Sequence, residues 1–95
     1  MKFEWDIKKN KENRKKHGVS FSEAEEVFED PFHISVLDRR FDYLEERWIT
    51  MGLSGRDRLL VVGHMYRMDE SGTEITRLIT ARRATNREHE RYEKI

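Results

Sequence analysis

Cationic side chains recur on a hydrophobic framework between Arg58 and Arg83, in the stretch RLLVVGHMYRMDESGTEITRLITARR. Arg67, Arg77, Arg82 and Arg83 lie here, and Arg47 lies on an earlier strand-like run. A cation among strand residues is costly unless it is paired or faces a ligand. The planar guanidinium fork bonds two phosphate oxygens at once, so the pattern suggests an anionic ligand. His64 sits mid-run beside Tyr66 and Arg67. It is placed either as a general base or acid, or as a buried, hydrogen-bonded histidine. Arg67, at a strand end, reads equally as a ligand contact or a solvated hairpin residue. Lys16 and His17 close an N-terminal helix, where the macrodipole favours cations, so His17 is either a helix-end residue or a functional one.

Other chemistries find little support. The chain has no cysteine, and His17, His33, His64 and His89 show no paired metal-ligand spacing, so neither a metal nor a cofactor is expected. There is no GxSxG, P-loop or GxGxxG motif. Histidine, arginine, lysine, tyrosine and carboxylates suit metal-free RNA cleavage. There the 2′-hydroxyl of the RNA is the nucleophile, and the protein moves protons and stabilises a dianionic phosphorane.

The elements that must position these residues follow from local signals. Lys2-Phe3-Glu4-Trp5 alternates as a short strand, and Asp6 caps a helix from Ile7 to about Lys16 that ends at Gly18. That helix is almost wholly polar, with Asn10, Asn13, Arg14 and His17 near one face, so it is either loosely held or turned to a ligand. Ser20 and Glu23 form a capping box for a second helix. Its Phe21, Ala24, Val27 and Phe28 face the core, its Glu23, Glu25, Glu26 and Glu29 face water, and Asp30-Pro31 ends it. Strands are expected over His33–Leu37 and Glu46–Met51, with a charged loop over residues 39–45. Arg58–Arg67 and Thr73–Ala81 form a hairpin. Strict alternation puts Ile75, Arg77, Ile79, Ala81 and Arg83 on one face, and Thr76, Leu78, Thr80 and Arg82 on the other. Thr85 and Glu88 make a capping box for a last helix through Tyr92, with Ala84, Glu88, Tyr92 and Ile95 inward. The expectation is one α+β domain over residues 1–95. It has a small antiparallel sheet, two N-terminal helices and one C-terminal helix.

Charge is zero overall but unevenly spread. Residues 1–20 carry seven cations and three anions, residues 21–46 two and nine, and residues 47–95 ten and seven. Two basic segments flank an acidic one, so folding can gather the basic ends into one patch. Neither early helix offers the short glycine-containing link and basic second helix of a helix-turn-helix, and the second helix is acidic. No signal peptide is seen and no apolar run approaches membrane-spanning length, so a cytoplasmic protein without membrane contact is expected.

Ordered short motifs over nearly the whole chain resemble the BrnT family of type II toxins. Phe3-Glu4-Trp5-Asp6, Lys9, Asn13 and Lys16-His17-Gly18-Val19-Ser20-Phe21 resemble the family opening. Glu23-Ala24, Val27-Phe28-Glu29-Asp30-Pro31, Glu46-Arg47, Gly52, Arg58-Leu59-Leu60-Val61-Val62 and Arg67 continue it. Arg77-Leu78-Ile79-Thr80-Ala81-Arg82-Arg83-Ala84-Thr85, with Glu88 and Tyr92, closes it; Thr80 stands where the family usually has serine. The resemblance implies a RelE-like fold and a metal-independent endoribonuclease. On that reading His64, Arg67, Arg77 and Arg82 are the catalytic candidates, and Lys16, His17, Arg47 and Arg83 are the RNA-binding ones. Arg82 and Arg83 point to opposite faces, so one of them braces the fold. The resemblance also implies a cognate antitoxin, expected to be of the ribbon-helix-helix type, with two toxins on an antitoxin dimer and DNA contact only through the antitoxin. The rival expectation is a non-catalytic module that only binds a partner or nucleic acid.

Overall fold

An aspartate and a left-handed glycine delimit the first helix. The Asp6 carboxylate accepts the backbone N–H groups of Lys8 and Lys9 at 2.8 and 3.1 Å, and Gly18 takes φ 69° as the cap. The computed structural model describes residues 1–40 and 45–94. Its elements are β1 (Lys2–Glu4), α1 (Ile7–His17), α2 (Phe21–Glu26) with a 3₁₀ turn (Val27–Glu29), β2 (Ile34–Leu37), β3 (Trp48–Leu53), β4 (Leu59–Met68), β5 (Glu74–Arg83) and α3 (Asn86–Glu93). This is the expected order. The charged loop expected over 39–45 falls at residues 41–44 outside the described residues, as does the inward role expected of Ile95.

The sheet departs from expectation in one respect: it is mixed rather than antiparallel. Its order is β1-β5-β4-β3-β2, and β1 runs parallel to β5, with Glu4 opposite Arg77. A parallel neighbour needs a long crossover, and α1 to β4 supply it. The helices also divide between the two faces. Val19, Phe21, Ala24 and Val27 pack on Leu60, Val62, Leu78 and Ala81 on one face. Ala84 and Tyr92 pack against Met51, Leu59 and Val61 on the other. Phe21, Leu60, Val62 and Leu78 are almost wholly buried, each contributing about 1.5–3 kcal/mol of transfer free energy.

α1 is held without an apolar face, and it is not loosely held. β1 ends opposite Arg77, so the edge of β5 beyond that point lacks a strand neighbour. Asn13 takes the place of one. Its amide donates to the Ala81 carbonyl at 2.7 Å and to the Val19 carbonyl at 2.9 Å, and accepts the Ala81 N–H at 3.2 Å. The Asn10 carbonyl oxygen accepts the Phe21 N–H at 2.9 Å. Buried amides satisfied in this way anchor the helix through hydrogen bonds instead of area.

Two further expectations change. Glu23 is buried, not wetted: its carboxylate accepts Ser54 Oγ at 2.8 Å and Arg58 Nε at 2.9 Å, and a second oxygen pairs with Arg58 Nη2. Ser20 Oγ still accepts the Glu23 N–H at 3.1 Å, so only half of that capping box forms. At α3 the whole Thr85–Glu88 box is present.

The strand alternation expected for β5 also fails. Gly63 pairs with Thr80 and His64 with Leu78, so Ile79 is an extra residue without a ladder partner. This bulge switches the faces downstream. Leu78 and Ala81 therefore share the α1/α2 face, while Arg77, Thr80 and Arg82 share the α3 face. A Cβ on Gly63 would lie 2.5 Å from Thr80 Oγ1, so any larger residue there would force the Thr80 side chain to move.

Candidate active site

Three strands bring charge to one place. Phe3 packs into the α1/α2 core, so the next residue, Glu4, turns to the α3 face, where Arg77 of β5 and Arg67 of β4 meet it. Arg67 Nε and Nη2 each donate to the Glu4 carboxylate at 2.7 Å, a bidentate pair, and Arg77 Nη1 donates at 3.1 Å. The hydrogen bond from Arg67 is the main force on the Glu4 carboxyl, which is held at about 2, well below the usual carboxylate range. One carboxylate thus fixes two guanidinium groups whose side chains remain 49% and 39% exposed.

These residues line an open cleft of about 660 Å³, together with Glu45, Glu46, Trp48, Met65 and Tyr66. A smaller cleft of about 120 Å³ lies beside it, lined among others by Arg47, Trp48, Gly63, Thr80 and Arg82. Trp48 belongs to both. Its ring meets Tyr66 edge to face, with centroids 6.1 Å apart. Arg82 is braced by α3: its Nη1 and Nη2 donate to the two Glu88 oxygens at 2.8 and 3.0 Å. That bond holds the Glu88 carboxyl at about 2. Because the bulge places Arg77 and Arg82 on one face, Arg47, Arg67, Arg77 and Arg82 all border these two clefts.

The remaining candidates lie elsewhere. Lys16 and His17 are exposed in the last turn of α1 and line neither cleft. Arg83 pairs in the ladder with Leu60, so it stands on the face opposite Arg82, as expected. Trp5 packs against Phe21 at 6.1 Å, and Tyr92 donates its hydroxyl to Asp30, both structural roles.

His64 has no exposed surface. Its Nε2 lies 2.7 Å from Thr50 Oγ1, which in turn lies 2.6 Å from Ser35 Oγ. Phe28 and Tyr66 enclose the ring edge-on, with centroids at 5.0 and 5.2 Å, and Nδ1 has no protein partner. Burial depresses its pKa to about 4, so the ring is neutral at physiological pH. Of the two readings open for this residue, the geometry favours the buried, hydrogen-bonded histidine. His64 nonetheless lines the smaller cleft, together with Gly63, Thr80 and Arg82.

A pH dependence follows, because the unfolded histidine has its ordinary pKa near 6.5. Above that value both states are neutral and the stability contribution is complete. As pH falls from 6.5 towards 4 the unfolded chain gains a proton that the folded chain refuses, and stability drops by about 1.4 kcal/mol per pH unit. Denaturant titrations between pH 7 and pH 4.5 should show that slope, and His64→Gln should flatten it. A slope identical in the variant would show that other groups govern acid unfolding.

Sequence reasoning missed Glu4, Glu88 and Trp48 as site residues. A signal for Glu4 was present, since it alternates with Phe3 on a strand. Among the described residues no group of three or more His, Asp or Glu side chains is placed to hold a metal ion, and no helix is long and apolar enough to cross a membrane.

The architecture is similar to the crystal structure of the Brucella abortus ribonuclease toxin, BrnT, with a TM-score of 0.62 at 23% identity, covering 90% of this chain and 99% of that one. No curated protein matches the chain. Residues 5–88 match the family described as the ribonuclease toxin, BrnT, of type II toxin–antitoxin systems. With that match running from the residue after Glu4 to the Glu88 that holds Arg82, the chain belongs to the BrnT family of ribonuclease toxins.

Proposed function

We propose that this toxin is a RelE-like endoribonuclease that cuts RNA in the cytoplasm without a metal ion. The 2′-hydroxyl gives up its proton as it attacks the adjacent phosphorus, the bond to the 5′-oxygen breaks as that oxygen takes up a proton, and the products are a 2′,3′-cyclic phosphate and a 5′-hydroxyl end. The observation that carries this reading is the set of five arginines, Arg40, Arg47, Arg67, Arg77 and Arg82, bordering two clefts that share Trp48. Arg77, which gives only Nη1 to Glu4, is the donor best placed to meet phosphate, with Arg67 beside it. Arg82, fixed by Glu88, and Arg47 serve the neighbouring cleft. Preorganised donors of this kind stabilise charge as it develops on the phosphorane. His64, which lines the smaller cleft and is hydrogen-bonded to Thr50, is the proton-carrying candidate beside these arginines. Lys16, His17 and Arg83 would contact RNA only outside the clefts.

A ribonuclease of this kind needs an inhibitor. We take this to be a cognate antitoxin of the ribbon-helix-helix type, bound as a dimer to two toxins, through which alone the complex meets DNA. An inhibitor presenting carboxylates to the arginine clefts would associate quickly and in a salt-dependent manner. The purified toxin should cut RNA in EDTA, leave cyclic-phosphate ends, and lose that activity on adding its antitoxin. Activity abolished by chelation and restored by a divalent ion would overturn the mechanism. A toxin that binds its antitoxin yet never cuts RNA would leave the interaction-module reading.

A further inference from the structure

The larger cleft holds more acid than a site for a polyanion needs. Glu4 is engaged by Arg67 and Arg77, but Glu45 and Glu46 also line the space, and both are exposed. Carboxylates beside a phosphate oppose binding through like-charge repulsion. They favour it only where they accept N–H groups from another part of the ligand.

A nucleobase can supply those groups. Guanine presents N1–H and N2–H side by side, matching the two oxygens of one carboxylate. Adenine and cytosine offer an amino group flanked by an acceptor, and the uracil N3–H lies between two carbonyl oxygens that a carboxylate repels. Unpaired bases in single-stranded RNA expose these edges and stack on aromatic side chains. Trp48 lines the same cleft as the two glutamates, and its ring is steadied by Tyr66. Arg67 and Arg77 line the same space, which at about 660 Å³ is roomy enough for a nucleotide.

We propose that the cleft bounded by Trp48, Glu45–Glu46 and the Arg67–Arg77 pair is a guanine-recognition pocket. A single-stranded guanine stacks on Trp48 and donates N1–H and N2–H to the glutamates, while its phosphate meets the arginines. The assignment rests on the ribonuclease reading and adds the base that directs the cut.

Calorimetry with guanosine 3′-monophosphate and adenosine 3′-monophosphate, on the antitoxin-free toxin, tests it without needing turnover. Guanosine monophosphate should bind at least tenfold more tightly, the scale of one good bidentate base contact. The double variant Glu45→Gln, Glu46→Gln should fold normally and lose that selectivity, while Trp48→Leu should weaken both nucleotides alike. Mapped cuts should fall at a fixed position relative to guanine in wild type and scatter in the double variant. Equal affinities, a selectivity unchanged in the double variant, or no binding at millimolar nucleotide would each overturn the pocket. Cleavage without base preference would remove the pocket and leave the ribonuclease; selective binding without cleavage would do the reverse.

Discussion

Arg77→Ala should lower RNA cleavage about 100-fold, the scale seen when one preorganised transition-state donor is lost. Arg77 reaches the cleft from the middle of β5, and only one of its nitrogens is used by Glu4. Arg67 spends both Nε and Nη2 on the same carboxylate, so its replacement should cost less in turnover and more in the placement of Arg77. Thermal stability should change little in Arg77→Ala, because a partly exposed ion pair contributes about 0–1 kcal/mol. Arg77→Lys should recover only part of the rate, since an ammonium cannot bond two phosphate oxygens in one plane. Single-turnover cleavage of a defined oligonucleotide, with melting curves on the same samples, separates these effects. A large drop in melting temperature with turnover unchanged would assign Arg77 to the fold.

The order of elements was legible because its signals are local. Asp6, Gly18, the Asp30-Pro31 step and the Thr85–Glu88 box each act within a few residues of themselves, and each appears where expected. What escaped reading depends on contacts distant in sequence. Nothing near Lys2 declares that β1 will join β5 in parallel. The polar stripe of α1 resembles a ligand face until Asn13 is seen to pair with Ala81, 68 residues away. The face carrying Arg77 and Arg82 depends on one unpaired residue, Ile79, and strict alternation therefore separated two arginines that the sheet puts together. Gly63, an isolated glycine in a strong strand pattern, was the available sign of that bulge. His64 was ambiguous because chain neighbours do not report burial. Phe28 from the helical layer and Thr50 from β3 settle its surroundings.

The largest loss of stability is expected not at the clefts but at Glu23. Its side chain is 5% exposed and accepts from Ser54 and twice from Arg58, whose Nη2 also donates to the Gly18 carbonyl at 3.2 Å. The network joins the end of α1, the start of α2 and the loop that launches β4. Arg58 holds the Glu23 carboxyl below its ordinary pKa, so this contribution is complete above the unfolded value near 4.5 and is lost as pH falls below it. Removing one partner of a buried pair costs about 3–5 kcal/mol; Arg58 is 24% exposed and can regain some hydration, so the lower end applies. Glu23→Ala should therefore lower stability by about 3 kcal/mol, which for a domain of this size is a fall of roughly 12–20 °C in melting temperature. Glu23→Gln should lose less, since it can still accept from Ser54. Cleavage per folded molecule at 20 °C should be unchanged, because Glu23 sits on α2 and the arginine clefts lie on the opposite face of the sheet. A melting temperature within 3 °C of wild type would show that water replaces the carboxylate at little cost, and that β4 is held by its apolar ladder alone.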